Sequence, residues 1–381
     1  MRLLLGLTYY RPHISGLTIY VERLARALAR RGHSVTVLTS QYDRALPRRE
    51  SLAGVEVIRV PVAARVNKGV IMPTLGWAAT RLAASHDAIS LHLPQLDASG
   101  IALRGRLFRK PTVLTYHCDL LLPPAPLSPL INGVVHWSNR LAASLAHAIV
   151  AYTQDYADHS PLLSRYLHKV RVIPPPVEVA PADAAAVEAF RQRYHLNGHR
   201  VIGMATRLAA EKGVEHLLAA LPAILERNPE ARVLFAGQYQ DVIGEEGYAR
   251  RLAPLIEKYG DRWTFVGLLD APQMAAFFHA LDVLVVPSTN STESFGLVQI
   301  ESMLCGTPVV ASNLPGVRQP IAMTGMGKVT PVADPPALAE AVNAVLAGRE
   351  VQRRSPDEIS ATFSPDAVAE KYEALFKEIR T

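Results

Sequence analysis

Two carboxylates with seven residues between them, Glu293 and Glu301, mark the stretch of this chain best suited to chemistry. Between them stand Ser294, Phe295, Gly296 and Leu297, and beyond them runs Gly306-Thr307-Pro308-Val309-Val310. The apolar run Val283–Val286 before them reads as a buried parallel strand. A helix is expected to open at Ser294 or Phe295, with Ser294 as N-cap, and to stop at Gly306, where Pro308 bars continuation. The loop thus leaves the carboxyl end of a strand and enters a helix N-terminus, where an open α/β sheet binds its ligand. The N–H groups of Phe295, Gly296 and Leu297 would meet an anion there, helped by the helix dipole. Gly296 would let that anion approach the backbone closely. Carboxylates repel a bare phosphate but accept hydrogen bonds from sugar hydroxyls. The stretch therefore predicts a ligand with both groups, a nucleotide sugar. The same acids would also suit a solvated helix face.

A second constellation lies upstream, in Thr206-Arg207-Leu208-Ala209-Ala210-Glu211-Lys212-Gly213. It follows the apolar run Val201–Ala205, so Arg207 and Lys212 flank a turn at a strand's carboxyl end. Two cations there can neutralise a diphosphate, Arg207 by a planar fork and Lys212 as a point charge. A surface salt bridge with Glu211 is the competing reading. A third candidate is His117, in Thr115-Tyr116-His117-Cys118-Asp119 at the end of another strand. Asp119 beside it could orient an acceptor.

The elements that must position these residues repeat a strand–helix alternation. Residues 2–8, 35–38, 55–60, 88–92, 112–116, 148–152 and 170–173 read as strands. Helices are expected at 17–31, 74–84, 96–106, 128–146 and 154–166. The pattern predicts a parallel, doubly wound sheet. Pro174, Pro175, Pro176 and Pro181 stiffen a linker near 174–182. The alternation then restarts with strands at 201–205, 232–236, 264–266, 283–286 and 307–311. Its helices are expected at 214–225, 248–258, 273–280 and 336–346. A last helix begins at Ser364-Pro365, with Val368, Tyr372, Leu375, Phe376 and Ile379 as its apolar stripe.

Glu293, Glu301 and the following Gly306-Thr307-Pro308-Val309-Val310 resemble the signature of family-four retaining glycosyltransferases of the GT-B fold. Pro287-Ser288, Pro315-Gly316-Val317-Arg318 and the Arg207-Leu208…Glu211-Lys212-Gly213 segment resemble the same family. The resemblance covers nearly the whole chain, most closely over 201–318 and least over 40–105. It implies two Rossmann-like domains facing a central cleft: 1–176 for the acceptor, 177–364 for the donor, and a helix 365–381 packing back across the interdomain region. It implies that Arg207 and Lys212 hold the diphosphate, with Glu301 on the ribose and Glu293 on the transferred sugar. It places His117 against that sugar and implies no protein nucleophile, the leaving phosphate taking the acceptor's proton. The family carries a glycine pair facing the ligand where this chain has Ser15-Gly16. Thr206 and Tyr239 likewise replace family glycines.

The 381 residues suffice for two domains, and a 49% hydrophobic content suffices for two cores. Cys118 and Cys305 form no disulfide framework, which suggests a reducing cytoplasm. The opening Met1-Arg2-Leu3-Leu4-Leu5-Gly6-Leu7-Thr8 turns polar too soon for a signal peptide, and no apolar run is long enough for a membrane span. There is no Asp-x-Asp pair, zinc-type cluster, phosphate-binding P-loop or dinucleotide fingerprint. No metal or other cofactor and no nucleic-acid partner is therefore expected. Residues 1–175 carry 21 Lys and Arg against 9 Asp and Glu, whereas the remainder carries 19 against 25. This asymmetry suggests that the first half meets an anionic surface. Arg23, Arg26, Arg30 and Arg31 on one helix and the apolar, proline-broken residues 120–131 suggest a peripheral attachment to the inner face of a membrane and a sugar or lipid-linked acceptor. The favoured donor is a UDP-sugar, with GDP-mannose the alternative. A nucleotide-sugar epimerase and a non-catalytic nucleotide- or lipid-binding module are the competing functions.

Overall fold

The structure is a computed structural model that describes residues 1–66, 69–119, 128–348 and 351–380. The chain divides into two compact units, Met1–Val177 with Thr362–Thr381, and Glu178–Ala361.

The first unit is built on an eight-stranded sheet. Its strands are β1 (Arg2–Gly6), β2 (Ser34–Gln41), β3 (Arg49–Leu52) and β4 (Val55–Pro61). A separate two-stranded piece, β5 (Ala64–Val66) with β6 (Gly69–Ile71), follows. The large sheet resumes with β7 (Ala88–Leu93), β8 (Thr112–Tyr116), β9 (Ala148–Ala151) and β10 (Val170–Val172). The spatial order is β10-β9-β8-β7-β1-β2-β4-β3, parallel except for β3 against β4. Strands β7, β8 and β9 are buried at every position, so their sequences do not alternate between apolar and exposed polar residues; β9 is apolar throughout, while the polar side chains of β7 and β8 are buried too. Helices α1 (Gly16–Arg30), α2 (Leu75–Ser85), α3 (Ala98–Leu107), α4 (Ser128–Leu145) and α5 (Gln154–His159) link these strands.

The second unit has a six-stranded, all-parallel sheet. Its strands are β11 (Val201–Ala205), β12 (Arg232–Ala236), β13 (Trp263–Gly267), β14 (Val283–Val286), β15 (Val309–Ser312) and β16 (Gly327–Thr330), in the order β13-β12-β11-β14-β15-β16. Its helices are α6 (Ala184–Arg193), α7 (Val214–Arg227), α8 (Glu246–Glu257), α9 (Ala271–Ala280), α10 (Leu297–Leu304), α11 (Gln319–Thr324) and α12 (Pro335–Leu346), followed by α13 (Pro356–Phe363). The last helix, α14 (Pro365–Glu378), belongs to the first unit, capped by Ser364 with Pro365 in its first turn.

Several local readings need correction. The helix expected over 154–166 ends at His159, because Pro161 keeps Ser160 extended, and two short 3-10 turns replace the rest. The hairpin of β3 and β4 was not foreseen. Its two-residue turn, Ala53-Gly54, has positive φ at both positions and lacks the usual Asn or Asp signal. The short strand β16 and helices α6, α11 and α13 were also not foreseen.

The arginines of α1 are committed within the first unit. Arg31 makes a fork to Glu373 of α14 at 2.7 and 2.9 Å, and Arg30 meets Asp366 at 3.1 Å. Arg23 donates to the Pro176 carbonyl at 3.4 Å. This helix is thus largely an internal partner of α14 rather than a free basic face. Residues 120–127, the core of the expected apolar lip, lie outside the described residues.

Candidate active site

In the second unit the strand order reverses between β11 and β14, which are neighbours in the sheet. Loops leaving these two strands diverge there and open a crevice at their carboxyl ends. The β11 loop carries Arg207 and Lys212, and the β14 loop carries Glu293. Folding joins them: the Lys212 ammonium donates to a Glu293 carboxylate oxygen at 2.6 Å across 81 residues of chain. Both side chains are mostly buried, which strengthens the pair relative to one in open water. Thr289 of the β14 loop also donates its N–H to the Glu211 carbonyl at 3.0 Å. Gly213 makes this approach possible. Its φ is +65°, and a Cβ there would lie 2.1 Å from the Pro287 carbonyl oxygen.

Arg207 pairs with Glu211 at 2.6 Å, the salt bridge weighed from the sequence, while its own side chain remains about half exposed. Burial alone would raise the Glu211 carboxyl. A backbone N–H and the Arg207 guanidinium outweigh it and hold the group below its ordinary range.

Helix α10 starts later than expected. Its first residue is Leu297 and its N-cap is Gly296, whereas Ser294 and Phe295 are buried in the loop before it. The first orphan N–H groups of the helix therefore begin at Leu297 rather than Phe295. Gly296 is required by a φ of +75°, and a Cβ there would stand 2.8 Å from Gln299 Nε2. Gln299 is fully buried and donates to the carbonyls of Phe295 at 2.8 Å and Val317 at 2.9 Å, locking the loop. Glu301 lies on the second turn of α10. Burial, then the Glu301 carboxylate, push the Cys305 thiol up to about 12. Tyr239, which stands where the family has a glycine, lies flat on Phe265 with ring centroids 4.3 Å apart.

In the first unit the order reverses between β1 and β7. Ser15 and Gly16 follow β1. The Ser15 hydroxyl accepts from the Thr18 N–H at 3.2 Å, so the residue in place of a family glycine is the N-cap of α1. His117 follows β8 and is buried. Its Nε2 meets Nδ1 of His92 on β7 at 3.0 Å, and its Nδ1 is bonded to the Tyr152 hydroxyl. His92 Nε2 faces the Ser90 hydroxyl at 3.4 Å. One assignment satisfies the whole chain of contacts: Tyr152 donates to His117, His117 to His92, and His92 to Ser90, with both rings neutral. Burial lowers His92 to about 3 and, with His92 as neighbour, holds His117 well below the usual histidine range. Both nitrogens of the His117 ring, which the resemblance places against the transferred sugar, are engaged by protein groups. Tyr20 stands edge-on to His117 with centroids 4.8 Å apart, and its hydroxyl meets that of Tyr372 at 2.8 Å. The Tyr372 hydroxyl also meets Thr115 at 2.7 Å.

Asp119 is buried. One carboxylate oxygen accepts from Tyr116 at 2.9 Å and from Ser160 at 2.8 Å, while the other has no hydrogen-bond partner among the described residues. Among the described residues no three His, Cys, Asp or Glu side chains converge as metal ligands. His92, Tyr152, Tyr372 and Gln299 were not singled out from the sequence as members of these clusters. A histidine inside the apolar run Ala88–Leu93 was the one local sign among them; the other contacts exist only in three dimensions.

Residues 187–358 match the family described as Glycosyl transferases group 1, and residues 15–176 match the Glycosyl transferase 4-like domain. The chain is 30% identical over 365 residues to a D-inositol 3-phosphate glycosyltransferase of Xylanimonas cellulosilytica, covering 87% of this chain and 83% of that one. It is 29% identical over 360 residues to a 2-deoxystreptamine glucosyltransferase of Streptomyces kanamyceticus, covering 86% and 88%. It is 28% identical over 351 residues to a phosphatidyl-myo-inositol mannosyltransferase of Mycobacterium tuberculosis, covering 89% and 86%. In fold it is similar to a sucrose-phosphate synthase of Thermosynechococcus elongatus, with a TM-score of 0.76, 23% identity, and coverage of 99% and 98%. It is also similar to Anabaena HepE in complex with UDP-glucose, with a TM-score of 0.75, 20% identity, and coverage of 99% and 100%. Two parallel-sheet units, each with its site at a strand-order reversal, and relatives that match across both make this chain a member of the family-four glycosyltransferases of the GT-B fold.

Proposed function

We propose that the chain transfers a sugar from a nucleoside diphosphate sugar to a hydroxylated acceptor, with retention of configuration and without a divalent metal. The observation that carries this reading is the Lys212–Glu293 pair at the β11/β14 reversal, before the first turn of α10. Lys212 has three donors. One serves Glu293, which leaves two for phosphate oxygens. Arg207 adds a second cation, and the α10 N-terminus adds backbone donors. Negative charge grows on the diphosphate as its bond to the sugar breaks, and these groups stabilise that charge in place of a metal. Glu293 then faces the sugar and Glu301 the ribose. The acceptor hydroxyl attacks the anomeric carbon on the face the diphosphate leaves. Its proton passes to the departing phosphate oxygen, so no protein nucleophile is consumed.

A UDP-sugar is the favoured donor and GDP-mannose the alternative. The acceptor is handled by the first unit, where the neutral His117 ring, fixed by His92 and Tyr152, forms a rigid wall rather than a titrating acid. The relatives named for inositol phosphate, 2-deoxystreptamine and phosphatidyl-myo-inositol support a ring polyol, free or lipid-linked.

The test is transfer from labelled UDP- and GDP-sugars by the full chain and by Arg207→Ala and Lys212→Ala. Each variant should lose about a hundredfold or more in turnover, the scale of one lost charge-stabilising donor, while remaining folded. Near-normal turnover in either would overturn the assignment. Conversion of the sugar while still on the nucleotide would indicate an epimerase, and binding without release would indicate a non-catalytic module.

A further inference from the structure

Helices α2, α3 and α4 lie side by side in the first unit. Their inward faces share one core: Leu75, Ala79 and Ala83, then Ala98, Ile101 and Ala102, then Ala142, Ala143 and Ala146. Cross-links hold the layer together. Arg104 of α3 donates to Thr80 of α2 at 2.7 Å, and Ser99 of α3 meets Ser138 of α4 at 3.0 Å. The outward stripes follow from helical spacing, at Trp77 and Arg81 on α2, Leu103 and Leu107 on α3, and Val134, Trp137 and Arg140 on α4. Trp77 is 70% exposed, Leu107 70% and Trp137 65%. Large apolar side chains on three adjacent helices are costly to leave in water and mark a surface made to be covered.

The charge on this layer is one-sided. Helices α2, α3 and α4 contain no Asp or Glu and carry Arg81, Arg104, Arg106 and Arg140; Arg109 and Lys110 follow the end of α3, and Asp97 precedes its start. Arg104 and Arg106 are bonded within the layer. Arg81 lies 5.8 Å from the Trp77 ring centroid, an arrangement that keeps the cation beside an apolar ring. Arg109, Lys110 and Arg140 form no ion pair among the described residues.

We propose that the outer face of α2, α3 and α4 is a docking surface for an anionic lipid bilayer. Exposed tryptophans with leucine beside them suit the headgroup boundary, where an amphipathic ring finds both apolar and wet surroundings. The surrounding cations meet the negative surface potential, and each raises partitioning about fivefold. Charge complementarity selects the bilayer over a protein partner: no carboxylate stands on these helices to pair with cations of a second copy of the chain. Attachment of this kind is peripheral, since among the described residues no helix is long and apolar enough to cross a membrane. The surface differs from the one suggested by the arginines of α1, and it does not depend on the proposed sugar transfer.

The test is co-sedimentation of the full chain with vesicles of phosphatidylcholine alone or with one-third phosphatidylglycerol, at low and high salt. The chain should pellet at least tenfold better with the anionic vesicles and lose that preference at high salt. The combined variant Arg109→Glu, Lys110→Glu, Arg140→Glu should bind about a hundredfold more weakly or worse. Trp77→Ser with Trp137→Ser should weaken binding severalfold at every salt concentration. Thermal midpoints and UDP binding should match the parent in both variants, which separates lost docking from lost folding. Equal binding of parent and variants, or no preference for anionic vesicles, would overturn the proposal. So would a concentration-dependent dimer abolished by the tryptophan variant, since that would make a second copy the occupant.

Discussion

Acidification should destabilise the first unit through the His92–His117 pair, and the effect can be worked from the structure. Both rings are buried and hydrogen-bonded as neutral partners, and burial lowers His92 to about 3. An unfolded histidine titrates near about 6.5. Between these values the unfolded chain binds a proton that the native ring refuses, so stability falls as pH falls. Nothing is lost above the unfolded value. The slope is about 1.4 kcal/mol per pH unit for the His92 ring, so acidification to pH 5 costs about 2 kcal/mol from that group. That is a sizeable share of a typical domain stability of about 5–15 kcal/mol, and His117, held below its usual range by burial and by His92, adds to the loss in the same direction. Protonating both rings would also set two N–H groups against each other across the 3.0 Å contact. His13, His86 and His147 are lowered chiefly by burial as well, so they add to the loss and must be subtracted. The assay is urea unfolding of parent and His92→Asn followed at pH 7.5, 6.5, 5.5 and 5.0. The parent's pH slope should exceed that of the variant by about one proton. Identical slopes, or a histidine resonance titrating near pH 6.5 for His92, would refute the reasoning.

Other expectations follow from single groups. Transfer activity should be unchanged by a chelator, since Arg207, Lys212 and the α10 N-terminus are assigned to the diphosphate; loss of activity restored by magnesium or manganese would contradict that. Gly296→Ala forces a left-handed conformation on alanine and pushes a Cβ to 2.8 Å from Gln299 Nε2. It should lower the stability of the second unit by about 2 kcal/mol and weaken nucleotide binding measured by calorimetry. Tyr372→Phe strips a partner from both Tyr20 and Thr115, each buried, and should cost about 2 kcal/mol, read as a lower thermal midpoint of the first unit.

Local patterns in the sequence carry much of this protein's architecture. Short apolar runs such as Val283–Val286, alternating with helical segments, point to parallel strands covered on both faces, so the sheet class is legible without coordinates. The Ser364-Pro365 start of α14 and the placement of Arg207, Lys212 and Glu293 at strand ends are legible for the same reason: each depends on neighbours a few residues away. Signals of that range failed where the backbone obeyed something else. Gly296 takes a left-handed φ beside a buried Gln299, which moved the start of α10 beyond Phe295. The turn of the hairpin after Leu52 uses Ala-Gly, which sequence preference does not mark.

Tertiary structure alone decided which groups meet. Lys212 reaches Glu293 because β11 and β14 are neighbours at the strand-order reversal, a fact of sheet topology that spacing cannot encode. The register of β7 on β8 pairs His92 with Thr115, two residues before His117, and the contacts of His117 with His92 and Tyr152 commit both of its ring nitrogens. Arg31 of the basic helix is answered by Glu373, far along the chain, so the net charge of the first half gives no address for its basic surface. Composition records how many charges a chain carries; only packing determines which are paired inside it and which remain, as on α2, α3 and α4, for a partner.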